Sequence, residues 1–102
     1  MNADKVLKAI EEAEDMCYAV IDYCREYEEL LPEEYSCTDS RMYSIMDSLN
    51  FEYNAVEPDN ELDLKWIHEC AVGVLREAAS TLAKLKALVS ANKQEIEYCV
   101  FA

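Results

Sequence analysis

The sequence predicts an all-α fold: a small antiparallel helical bundle with two long helices, a shorter middle helix and a short C-terminal extension. Three observations carry this reading. Apolar residues fill 52% of 102 positions, enough for one modest core and too many for a disordered chain. Only one Gly and two Pro are present, so the positive-φ and turn residues that hairpins need are scarce. Two long stretches space their apolar residues by three and four, which places them on one helical face. The length suits a single domain over residues 1–102.

The first helix is predicted from Ala3 to Leu31. Asn2 or Asp4 can cap its start, and Pro32 disfavours helical backbone in the residue before it. Val6, Ile10, Ala13, Cys17, Val20, Cys24, Tyr27 and Leu31 form an unbroken heptad seam. Leu7, Met16, Ile21, Tyr23 and Leu30 flank and widen it, as a helix needs when it packs on more than one neighbour. Residues 32–39 read as a loop. Thr38, Asp39 or Ser40 then caps a shorter helix with Met42, Ile45, Met46, Leu49 and Tyr53 or Val56 on one face.

Glu57-Pro58-Asp59-Asn60 is a break, and Asp59 or Asn60 caps a third helix predicted to reach Ala91. Leu64, Ile67, Ala71, Val74, Ala78, Thr81, Leu85 and Leu88 supply its seam, with Leu82 beside Thr81. Gly73 inside this helix costs about 1 kcal/mol relative to Ala, and close helix packing is one reason to keep it. Residues 94–102 alternate at Ile96, Tyr98 and Val100, yet Ile96 and Cys99 also fit a helix. Without a second strand candidate, a helical or frayed end is expected. Helices of about 30 residues span about 45 Å, twice the middle helix. Part of the long seam is therefore expected to meet the tail, a partner, or a second copy in a homodimer.

Net charge is −13 and unevenly spread. Residues 1–60 hold sixteen acids against Lys5, Lys8, Arg25 and Arg41, a net −12; residues 61–102 hold six against five bases, a net −1. Such a field disfavours direct contact with nucleic acid or anionic membrane and favours a basic partner. No stretch reaches the roughly 18 uncharged apolar residues of a membrane span. The first five residues lack a signal-peptide layout, and five scattered cysteines suit a reducing cytoplasm better than a disulfide scaffold.

No catalytic residues, metal ligands or cofactor are assigned, and the protein is expected not to be an enzyme. Some helical nucleotide pyrophosphohydrolases hold Mg²⁺ with Glu-x-x-Glu on one helix and Glu-x-x-Asp on another. Glu11/Glu14, Glu12/Asp15 and Glu26/Glu29 match the first half, but Glu69 and Glu77 stand eight apart and supply no second half. The lone His68 follows Lys65 rather than a Glu by three, so the di-iron pattern fails, and no Cys-x-x-Cys exists for zinc. One Gly and one His allow no phosphate loop or Ser/His/Asp arrangement.

The acids therefore point to binding. Glu11, Glu12, Glu14, Asp15, Asp22, Glu26 and Glu29 on the first helix, Glu33 and Glu34 after it, and Tyr18 and Tyr35 make the candidate partner-binding set. Carboxylates one helical turn apart sit about 5–6 Å from each other, comparable to successive phosphates on one strand. Tyrosine adds contact area at low entropic cost. In size, charge and helicity the chain resembles small phage or mobile-element inhibitors of nucleic-acid enzymes, including anti-CRISPR and anti-restriction DNA mimics; no specific motif underlies that resemblance. It implies a protein that occupies a basic, nucleic-acid-binding surface of a nucleic-acid-processing partner. The alternative is a structural or adaptor protein that associates through apolar surface, its acids serving only solubility.

Overall fold

The computed structural model describes the backbone of residues 1–101 and the side chains of residues 1–93. Helical residues make up 87% of the chain, and there is no strand among the described residues. Helix α1 spans Ala3–Glu26, α2 spans Thr38–Ala55, and α3 spans Glu61–Phe101, with two 3-10 turns at Glu28–Leu30 and Glu33–Tyr35 between the first two.

The termini follow from identifiable residues. Asn2 Oδ1 accepts the Lys5 N–H at 2.8 Å and so caps α1. The α-helix stops five residues earlier than the seam predicts, with Tyr27 out of helical geometry. Glu26, Glu28 and Glu29 crowd negative charge at the negative end of the helix dipole, and Pro32 holds Leu31 extended. The chain finishes in a tighter turn instead. At α2 none of the predicted caps applies: Cys37 holds the capping position without a side-chain bond, and Asp39 Oδ1 accepts only the adjacent Ser40 N–H. Asn60 caps α3 by accepting from the Leu62 and Asp63 N–H groups at 3.0 and 3.1 Å. The Asp63 carboxylate accepts the Glu57 N–H at 3.3 Å, which ties the preceding loop to the first turn of α3.

Consecutive helices run antiparallel, so the two longest run parallel. The Met1 ammonium lies 3.6 Å from Glu61 at the start of α3. At the other end, Asn92 donates to the Leu30 carbonyl. Two connected apolar clusters fill the interior. Val6, Ile10 and Ala13 meet Leu49, Leu64, Ile67 and Ala71. Cys17, Val20, Ile21 and Cys24 meet Met42, Met46, Ala78 and Leu85.

The predicted length mismatch is relocated. The helices have 24, 18 and 41 residues, and α3 alone accounts for about 61 Å of a 64 Å molecule only 19 by 15 Å across. The tail is no separate extension: α3 continues unbroken past Leu30 to Phe101. Ala102, and the side-chain pattern expected of residues 94–102, lie outside the described residues.

Gly73 also departs from its predicted role. A methyl group there would meet nothing within 4 Å, so no helix of this chain requires the glycine. Gly73→Ala is expected to stabilise the protein by about 1 kcal/mol and raise Tm by about 4–8 °C. Thermal unfolding followed by circular dichroism checks this.

Candidate functional site

The seam of α1 faces α2 and α3, which forces its polar residues outward. Val6, Ile10, Ala13, Cys17, Val20, Ile21 and Cys24 are buried. Opposite them, Glu11, Asp15, Tyr18, Asp22 and Glu26 are exposed and follow one another by three or four residues, forming a single stripe. Tyr18, 48% exposed, stands in the middle of it. None of these four acids forms a salt bridge or a side-chain hydrogen bond among the described residues. The two ion pairs found there, Met1 with Glu61 and Arg41 with Glu77, both lie elsewhere.

The other predicted site residues fall into different places. Glu12 lines a shallow apolar groove against α3 with Asp15, Met16, Ala19 and Leu75. Glu14 is half-buried and accepts from Asn50 Nδ2 at 2.9 Å, which ties α1 to α2. Its carboxylate is thus engaged within the fold. Glu29 and Glu33 to Glu34 are exposed on the two 3-10 turns at the end of α1. Tyr35 is half-buried against the Cys17–Leu85 cluster, so its ring is packing rather than open contact area. Tyr27, assigned to the seam, is half-buried, its ring tilted by 44° against Tyr23 at 4.6 Å and covered by the Lys93 ammonium at 4.6 Å.

One participant was missed by sequence reasoning. The Tyr43 ring meets Tyr18 edge-on at 6.3 Å, and its hydroxyl accepts from Arg25 Nη2 at 3.2 Å. Both rings are exposed. The signal available was an outward aromatic on α2, but register between α1 and α2 cannot be read from either helix alone. Near this pair, a cleft of about 270 Å³ is bordered by Arg25, Glu28, Glu33 and Asp39. With three carboxylates and one guanidinium, its field suits a cationic side chain.

Among the described residues no three His, Cys, Asp or Glu side chains converge as metal ligands. Among the described residues four cysteines are free, Cys17 and Cys24 buried, Cys70 half-buried and Cys37 exposed. Burial pushes the Cys17 thiol above its ordinary value of 9.0, and Glu14 and Glu77 push it further. Cys24 and Cys70 rise for the same first reason, aided by Asp39 and by Glu52 and Glu69 respectively. All three thiols are held in the protonated, weakly nucleophilic form. Comparison with protein families, with curated proteins and with solved structures returned no match. The chemistry of this surface alone therefore carries the functional reading.

The thiol shifts imply an alkaline weakness. Well below the ordinary value of 9.0 the thiols are protonated in both states and stability is unaffected. As pH approaches and passes that value, the unfolded chain releases thiol protons that the folded chain retains, so stability falls as pH rises. Tm is expected to drop between about pH 8 and about pH 10, and less steeply in Cys17→Ala/Cys24→Ala. Equal slopes for parent and variant would remove the thiols from the account.

Proposed function

We propose that this protein is a non-enzymatic binding protein whose acidic α1 face occupies a basic surface on a protein partner. The surface expected is one that otherwise holds nucleic acid, so that occupation inhibits a nucleic-acid-processing protein. The observation that supports this reading most is the stripe Glu11–Asp15–Asp22–Glu26. Its carboxylates form no ion pair among the described residues, on a helix whose other face is committed to the core. Concentrating like charge costs a compact state self-repulsion, and a basic partner converts that cost into attraction. Tyr18 and Tyr43 add aromatic contact area within the same field.

A second reading has its own observation. Phe51, Leu62 and Trp66 are 73%, 78% and 46% exposed, so an apolar surface exists on the side formed by α2 and α3. An adaptor binding through that side would use its acids for solubility alone.

Capture of partners from a cell lysate at low and at high salt, with identification by mass, separates the two. Charge-led binding recovers basic proteins at low salt and releases them at high salt, because exposed charges are screened. Partners held equally at both salts would favour the apolar reading.

A further inference from the structure

We propose that the groove between α2 and α3 is a self-association surface, filled by the same groove of a second copy about a twofold axis. This does not depend on the function assigned to the acidic face. The groove encloses about 280 Å³ and its lining includes Ile45, Leu49, Trp66, Cys70 and Val74. Leu62 stands one turn before Trp66 on α3, and Phe51 one turn after the groove residue Ser48 on α2. These are large apolar side chains left in water, on the side where α2 and α3 pack least closely.

Charge selects the occupant. Two chains of −13 repel wherever their acidic halves meet. Along α3 from Glu61 to Lys93, by contrast, four acids face five bases. Glu52 lines the groove, and Lys65 and Glu69 are the chain neighbours of its residues Trp66 and Cys70, so a second copy brings both signs to a rim that holds both. Pairing there also turns the two α1 faces away from each other.

Surface area agrees. A compact protein of 11.7 kDa exposes about 5,900 Å², whereas this chain exposes 7009 Å². The excess, about 1,100 Å², is spread over the whole rod, and a standard interface would take roughly 800 Å² from each partner. A radius of gyration of 17.3 Å, against about 13 Å for a globular chain of this length, describes a rod suited to lengthwise pairing. Gly73, where an added side chain would meet only open space, permits close approach from outside.

Sedimentation equilibrium from low micromolar to sub-millimolar concentration tests the proposal, together with emission from Trp66, the one tryptophan. The parent is expected to move from 11.7 kDa to twice that mass as the Trp66 emission shifts to shorter wavelength. High salt should strengthen this association by screening the −13 charges, the opposite of its effect on a basic partner. Leu62→Glu and Gly73→Gln each place polar bulk on exposed positions. Both should keep parental helicity while weakening the dimer by about 30-fold or more. A parent that stays monomeric at every concentration and salt overturns the proposal, leaving the groove to a different protein or to water. A dimer unaffected by both variants also overturns it, placing the contact elsewhere.

Discussion

Reversing Glu11, Asp15, Asp22 and Glu26 to Lys is expected to slow association with the basic partner by about 10-fold to 1,000-fold at low salt. The four changes take the net charge from −13 to −5, all on one stripe. Complementary charge acts chiefly on encounter, where steering raises association rates by factors of this size. The variant should fold normally, since all four positions are exposed and none is paired among the described residues. Glu57→Lys/Asp59→Lys is the control, because both residues are exposed and neither is an ion-pair partner. Glu77 is unsuitable: it accepts from Arg41 across the α2–α3 contact, and a Lys there would oppose the guanidinium. Surface plasmon resonance with parent and variants reads the rates. Equal rates for parent and four-site variant would reduce the stripe to a solubility coat.

The second large effect is on stability. Ile21→Ala and Leu85→Ala in one cluster, and Ile67→Ala in the other, each remove a side chain with no solvent exposure. Each should cost about 2–5 kcal/mol, the lost transfer energy plus a cavity that a rigid surround only partly closes. Against the roughly 5–15 kcal/mol that holds a domain folded, one such loss is severe. Leu62→Ala, at 78% exposure, should stay within about 0.5 kcal/mol of the parent at the low micromolar concentrations where the protein is monomeric. Urea unfolding measures all four. A similar cost at Leu62 and at Ile67 would contradict the assignment of the core.

The seam of α1 was legible nearly residue by residue, because a helix with a wet and a dry face must repeat its apolar positions. Val6 through Cys24 are buried as that repeat requires. The end of the α3 seam was not. A straight helix drifts about 20° per heptad against a 3.5-residue repeat, so by the last described turns Val89 is buried and Leu88 only half so. Periodicity also says which face is dry without saying what covers it. Hence the parallel pairing of α1 with α3, the Asn50 bond that engages Glu14, and the burial of Tyr35 were invisible. For the same reason Gly73 was assigned a packing role inside the chain that the open space around it denies. The outward stripe with Tyr18 was legible, being the complement of the seam. Its meeting with Tyr43 was not, because that depends on two helices at once.

Whether the outer face of α1 touches a basic surface is read most directly by zero-length carbodiimide coupling of carboxylates to amines. Applied to the captured complex and mapped by mass spectrometry, it joins only acids and lysines already in contact. Joints are expected from Glu11, Asp15, Asp22 and Glu26 to lysines of the partner, lost on raising salt before coupling. Joints confined to Glu52 and Glu69 beside the α2–α3 groove, with none from α1, would contradict that contact.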